Sequence, residues 1–438
     1  MADLHSIALK SLCTQLSDEW GLRERARQLG VVVRQSKVDS YALLASVVLG
    51  VAVRGPMGIA SIGRILSDVL GHRLARSSVW ARFTPAFRDL VREVLDRSVR
   101  TARERTCRPS GVLSGFKDVL AVDATVVRVH DSLEGCYRAT RRNSMKAALK
   151  VHTWVRALTG ELVKYKITAD AHGDGKAFGV DHELRGTLVL FDRGYSSQSL
   201  WLRIHNIGGY FLTPLPADRN PEITGSHRRH RGAARKVTGR RLKDVLNGLQ
   251  RAIMDVKGSF RCKVRKYGTE QDRVEIHEFR IIAIRTKRGK YRLYVTNAPV
   301  ELLPAEVVSD AYRLRWEVET FYKTAKSGSG LNELSSAKQH IVETMVYAAL
   351  LRATASMTAL AATRARLVLM GNYRINPGQW HKWYIGEVQS LLRSLVKPCR
   401  AMTGAARLMM LTDPNRSRSP TRERIQLPDL WGECVGIS

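Results

Sequence analysis

The chain has 438 residues, with 72 Lys and Arg against 40 Asp and Glu and a formal charge of +32. That length supports two or three domains with a sizeable core and no need of disulfides, and so one-sided a charge excludes an ordinary metabolic enzyme as the first expectation, favouring nucleic acid over a membrane surface as the polyanionic partner. The longest uncharged apolar runs, Tyr41 to Val53 and Ala353 to Thr363, fall short of the roughly 20 residues that span a bilayer, no signal peptide leads the chain, and six scattered cysteines without a Cys-x-x-Cys pair fit a reducing, cytosolic compartment.

From Asp3 to about Arg105, apolar residues such as Leu43, Leu44, Val47, Val48 and Val51 recur at helical steps. Ala60 to Leu70 predicts one helix, Gly71 to Arg76 a polar turn, and Ser77 to Val99 a second helix opened by the N-cap candidates Ser77 and Ser78. The pair resembles a helix-turn-helix that would contact DNA through Arg73, Arg76 and Arg82; two bundle helices joined by a turn are the commoner origin of such a pattern. After Pro109, Ser110 and Gly111 the pattern becomes strand-like over Asp118 to Val129, Ala147 to Ala157 and Glu161 to Ala169, the last two joined at Leu158-Thr159-Gly160. A short apolar strand (Thr187 to Phe191), a helix (Ser196 to Asn206) and another strand (Gly209 to Leu215) follow, which together predict a mixed α/β sheet.

Between Pro216 and Asn297 the alternation breaks down. Eight of the sixteen residues from Arg228 to Lys243 are basic and none is acidic, and Arg228, Arg229, Arg235, Lys236, Arg240 and Arg241 are candidate phosphate contacts. Strand-like runs at Ser259 to Val264, Val274 to Arg285 and Tyr291 to Asn297 then make the block a β-rich insertion. A long helix is expected from Pro304 to Lys326 and a helical region from Gln339 to about Leu411, where Met345 to Leu351 is a candidate dimer contact. The Ser-, Arg- and Pro-rich tail from Asp413 has a disordered composition. The boundaries are 1–110, a helical DNA-end-binding region; 111–215 and 304–338, the two parts of the core; 216–303, the insertion; 339–412, the C-terminal helices; and 413–438, the tail.

Asp123 and Asp192 each end an apolar run that reads as a buried strand. An unpaired charge there is costly, and a divalent cation shared between two such acids is one compensation; a strand-end Asp capping a turn is the plainer one. On a helical wheel started at Val307, the residues Val307, Ala311, Leu314, Val318, Phe321 and Ala325 fall within about 40° of one direction, while Arg315, Lys326, Glu319 and Tyr312 form a stripe at about 80° to 140° beside it. Glu317 lies on another side. An ordinary Arg and Glu pair at i and i+4 would explain only two of the four stripe residues. His172 and Asp174 sit in a loop that could assist the site, and His227 and His230 have zinc-like spacing without a second pair nearby.

The spacing Tyr312, Arg315, Glu319, Lys326 matches the Tyr-(2)-Arg-(3)-Glu-(6)-Lys signature and resembles that of DDE transposases of the insertion-sequence-four family. Val122-Asp123-Ala124-Thr125 and Asp192-Arg193-Gly194-Tyr195 look like its first and second aspartate motifs, and Lys150-Val151-His152 resembles its stretch after the first. The resemblance covers roughly 118–328. It implies an RNase H-like mixed-sheet catalytic core interrupted by a β-rich insertion, with helical N-terminal and C-terminal regions. It also implies Asp123, Asp192 and Glu319 as catalytic and metal-binding residues for two Mg2+ ions, with Mn2+ as a substitute. Tyr312, Arg315 and Lys326, with Arg193 alongside, would hold the DNA backbone.

Two features depart from the family. Thr213-Pro214 stands where relatives often carry an Arg, and 216–297 has no Trp of the kind that stacks a flipped base in hairpin-forming relatives; Phe260, Tyr267, Phe279, Tyr291 and Tyr294 are the alternatives. The expected partners are double-stranded DNA, as transposon ends and as target, and a second copy of the chain in a homodimer or larger assembly, since two ends need two sets of acids. No membrane is expected, and the compartment would be the bacterial cytoplasm at the nucleoid. The competing readings are a transposase-derived DNA-binding protein and a structure-specific RNase H-like nuclease.

Overall fold

A computed structural model describes residues 21–33, 38–49, 59–105, 107–141, 144–195, 197–227, 237–265, 272–326, 331, 333–334, 336–369, 375, 380 and 383. The N-terminal helical pattern resolves into α1 (Leu22–Gln28), α2 (Ser40–Leu49), α3 (Ile59–Leu70), α4 (Arg76–Trp80) and α5 (Pro85–Glu104). The single helix predicted from Ser77 to Val99 is therefore two. Thr84 accepts the Phe87 amide at 3.2 Å and Pro85 takes the first helical position, a start signal that outweighs continuity. In the helix-turn-helix candidate Arg73 and Arg76 are exposed and Arg82 half-buried, but the second helix has only five residues.

The apolar runs Val119 to Val122 and Leu188 to Phe191 become central strands, because both of their faces are covered. Alternate residues of β1 (Val119–Val129) supply two cores: Val119, Ala121 and Val127 face one, Leu120 and Val122 the other. β2 (Ala148–Arg156) pairs antiparallel with β1 and with β3 (Leu162–Ala169). The short helix α6 (Asp174–Ala177) leads to β4 (Leu188–Phe191), α7 (Gln198–Asn206) and β5 (Tyr210–Pro214), with β4 parallel to both β1 and β5. The order β3-β2-β1-β4-β5 and these directions are those of an RNase H-like core.

The insertion holds β6 (Ile223–Ser226), α8 (Leu242–Asn247), β7 (Ile253–Arg265), β8 (Asp272–Arg285) and β9 (Tyr291–Thr296). Its strands do not form a separate body. β9 pairs with β5, and β8, β7 and β6 follow, so the sheet runs on without a seam. Arg280 welds the junction: its guanidinium grips Asp255 at 2.8 and 2.6 Å and donates to the carbonyls of Ala298 and Leu303. Phe260 and Phe279 are core residues against Trp201, and Tyr294 is buried, so these alternatives for base stacking are spent on packing. Tyr267 lies outside the described residues.

The long helix expected from Pro304 to Lys326 is broken into α9 (Val308–Arg313) and α10 (Trp316–Lys326). At the break, Leu314, Arg315, Glu317 and Val318 donate three residues back instead of four, tightening the turn and rotating Arg315 relative to a straight helix. After β10 (Glu333–Leu334), which pairs with β1, comes α11 (Gln339–Leu369). This helix is long and apolar enough to cross a membrane, yet most of it is buried against α5, α10 and α2. Met345, Val346, Ala348, Ala349, Leu350 and Leu351 are core residues of their own chain, which removes that stretch as a dimer contact. The tail from Asp413 lies outside the described residues. Cys107 is disulfide-bonded, a crosslink that the chain's length does not require, while Cys136 and Cys262 are free thiols.

Candidate active site

The parallel register of β1 and β4 places Val122 beside Phe191, so Asp123 and Asp192, one residue further along each strand, are neighbours at the same level. The Asp192 carboxylate accepts the Gly194 amide at 2.8 Å, and its carbonyl accepts the hydroxyl of the buried Thr213 at 3.3 Å. Thr213 thus serves here as a support for the second acid. Asp123 is held from behind by Tyr322, whose hydroxyl lies 2.9 Å from the Asp123 carbonyl and 2.8 Å from that of Val151, and accepts from Thr153. One buried phenol therefore fixes α10 to β1 and β2 where the first acid emerges.

Glu319 arrives on α10 and is tied to Asp123 through Arg315. The guanidinium donates to Glu319 at 2.6 Å and to Asp123 at 3.4 Å, while its Nε is buried without a hydrogen-bond partner. Burial first, and then the nearby negative charges of Asp192 and Glu319, raise the Asp123 pKa to about 6 against the pull of the Ala124 amide and Arg315. All three acids thus act on one region. Tyr312 lies under Arg315, 5.8 Å from its ring centre, and its own ring meets Tyr294 of β9 at 5.3 Å. Burial pushes the Tyr312 hydroxyl up to about 12, so it stays a neutral donor. Lys326 is half-buried about 10 Å along the helix from Glu319, and Arg193 is exposed beside Asp192.

Asp174 joins this group. Its Oδ2 and the Oδ1 of Asp192 stand 3.1 and 3.0 Å from the point where a Cβ on Gly194 would lie, so only glycine fits there without movement. Lys150 balances it at 3.1 Å and also pairs with Asp170. His172 is exposed. His152, buried between Tyr195 and Thr168, is driven down to about 4 mainly by burial and stays neutral. Glu317 points elsewhere, toward Gly160 and Met357. Trp316, 57% exposed beside Arg315, was missed by the sequence reading, because a lone Trp on a helix ordinarily predicts core.

Arg228, Arg229, Arg235 and Lys236 lie outside the described residues, as does His230. The chain leaves β6 toward them at His227, at the same end of the sheet as the acids, and returns at its other end, where Arg240 and Arg241 flank the start of β6. These last two are exposed but remote from the acids. The three carboxylates are hard oxygen donors of the kind Mg2+ takes. Among the described residues, no three His, Cys, Asp or Glu side chains stand close enough together to share one ion as placed. Arg315 lies between two of the three acids.

Acids from two central strands and the helix that follows the insertion, on an RNase H-like sheet with cations at the rim, define an enzyme of the DDE type. The chain belongs to the family described as Transposase DDE domain, which matches residues 114–354, more than half of it. It is 22% identical over 461 residues to the transposase for insertion sequence element IS231B of Bacillus thuringiensis subsp. berliner, covering 97% of this chain and 94% of that protein. The transposase for element IS231F of Bacillus thuringiensis subsp. israelensis is 28% identical over 275 residues, covering 57% of each. Among solved structures, the piggyBac transposase synaptic complex with hairpin DNA aligns at a TM-score of 0.48 and 10% identity, over 95% of this chain and 89% of that one.

Proposed function

We propose that this transposase binds the terminal inverted repeats of an insertion sequence, cleaves the ends by Mg2+-dependent phosphodiester hydrolysis, and transfers the 3′-hydroxyl ends into target DNA. The observation that carries this reading is that Arg315 bridges Asp123 and Glu319 while Asp192 stands level with Asp123 on the neighbouring strand. Asp123, Asp192 and Glu319 would hold the ions, which when bound activate a water or 3′-hydroxyl and offset charge on the leaving oxygen. Tyr322, Thr213 and the Gly194 amide hold the backbone and side chains of the two aspartates in place. Arg315 has a donor to spare at Nε and can turn its fork from the acids to a backbone phosphate, with Tyr312 beneath it and Lys326 as a further point charge. The partners are duplex DNA at the element's ends and at the target, and a second copy of the chain, acting in the bacterial cytoplasm.

The test replaces Asp123, Asp192 and Glu319 singly by Ala. Each variant should lose cleavage by at least about a thousandfold while still binding end DNA, and Glu317→Ala should cleave nearly as the wild type does. Near-normal cleavage by Glu319→Ala in Mg2+ would overturn the assignment. Strand transfer of a 3′-hydroxyl end separates this reading from a nuclease of the same fold.

A further inference from the structure

We propose that the turn between β8 and β9 clamps the backbone of the duplex flanking the scissile phosphate, with Lys287 and Arg288 as its contacts. The inference rests on the reading of the chain as an enzyme that cleaves DNA ends. The segment Arg285-Thr286-Lys287-Arg288-Gly289-Lys290-Tyr291-Arg292 carries five cations in eight residues and no acid. It belongs neither to the Tyr-Arg-Glu-Lys signature nor to the basic stretch from Arg228 to Lys243.

The turn is built to present these charges. Thr286 donates from its amide and its hydroxyl to the Lys290 carbonyl, at 2.7 and 2.8 Å, and Gly289 donates back to Thr286 at 2.9 Å. Gly289 has φ 78, the left-handed residue that closes a three-residue hairpin loop. Below the loop, Arg285 donates to the Gln250 carbonyl and the Tyr291 hydroxyl lies 2.9 and 2.6 Å from the carbonyls of Leu249 and Arg251. Lys287, Arg288, Lys290 and Arg292 are exposed, and among the described residues none of the four makes an ion pair. Cations placed to stabilise the fold would have found carboxylates; these face water on a fixed support, which lowers the ordering cost of meeting a polyanion.

Strand directions put the turn beside the acids. β1, β4, β5 and β8 all run the same way, because β9 is antiparallel to both β5 and β8. The end of β8 is therefore at the end of the sheet where Asp192 follows β4. Two strand spacings separate β4 from β9 and about three residues separate Tyr294 from the turn, which sets it roughly 15 to 20 Å from Asp192. At 3.4 Å per base pair that is about five base pairs of duplex. The link is also direct, since Tyr294 on β9 meets Tyr312, which lies under Arg315. A duplex with its scissile phosphate at the acids can thus lay its flank along the same edge.

The test measures binding of the full-length chain to a duplex cut from the boundary of the element that carries the gene, in EDTA, over a range of salt. Lys287→Glu with Arg288→Glu is compared with Arg261→Glu with Lys263→Glu, an equal change of charge on exposed residues of β7 toward the opposite end of the sheet. The turn variant should lower the slope of log affinity against log salt by about 1.8, two contacts at about 0.9 each, and the β7 variant should keep the wild-type slope. An unchanged slope, or an equal drop in both, overturns the clamp. Thermal melts check folding, and Lys287→Gln with Arg288→Gln repeats the measurement if the reversed pair is unstable. Cleavage of the same duplex by the wild type in Mg2+ reports separately on the underlying reading: loss of the slope effect with cleavage intact sinks only the clamp.

Discussion

Asp118 and Asp123 flank the same apolar run of β1, and each meets an arginine, but the two clusters are finished differently. Asp118 accepts the Val119 amide at 2.8 Å and Arg156 at 2.9 Å; Arg156 also caps the carbonyls of Ala102 and Arg105, and Glu161 pairs with Arg105. Arg156 and Glu161 are each 3% exposed. Around Asp123 the bond to Arg315 is longer, at 3.4 Å, and the Arg315 Nε is left over. The first cluster uses its donors within the protein. The second keeps acceptors and a donor in reserve, as expected where another charged group has still to arrive.

The largest effect should come from breaking the closed cluster. Arg156→Ala strands Asp118 in the interior, leaves Glu161 with Arg105 alone, and should cost about 3 to 5 kcal/mol of stability in denaturant unfolding, with cleavage per folded molecule unchanged. A loss below about 1 kcal/mol would mean the network is not structural.

Asp123→Asn should act in the opposite direction. The folded pKa of Asp123, about 6, exceeds the usual 3.8, so the folded protein holds the extra proton between those values and loses stability as pH rises through that window. Asn carries no such penalty. In the absence of divalent metal the variant should be more stable than the wild type by on the order of 2 kcal/mol at pH 8 and no different below pH 4, while cleavage is lost. Equal stability at pH 8 would contradict the burial penalty and the lesser repulsion inferred for the Asp123 charge.

The smallest effect concerns the open rim. Trp316→Ala should leave the melting temperature almost unmoved, because the ring is exposed, yet weaken DNA binding several-fold, since one stacked base contributes about 1 to 3 kcal/mol. Unchanged affinity would assign Trp316 no part in the rim.

The placement of Asp123 and Asp192 at the ends of buried strands was legible in the short apolar runs before them, and that of Glu319 beside Arg315 in their i, i+4 spacing on one helix. The break before Trp316 was not, since Leu314, Arg315 and Trp316 are acceptable helix residues and the kink accompanies a reach from Arg315 to a strand almost two hundred residues away. The approach of Asp174 to Asp192 is likewise set by tertiary placement. The split before Pro85 was written locally in Thr84-Pro85. That the insertion continues the core sheet depended on which strand β9 would choose, a pairing that no local period encodes.

The seamless sheet has a consequence for anyone trimming this protein to a minimal catalytic unit. Removing 216–297 would take β9 away from β5 and leave a buried, apolar strand as a bare edge, with unpaired amides and carbonyls ready to template another chain. It would also strip Tyr312 of its Tyr294 neighbour and the 298–303 segment of the arginine that caps it. A truncated enzyme of this kind should be recovered from inclusion bodies rather than as a smaller nuclease.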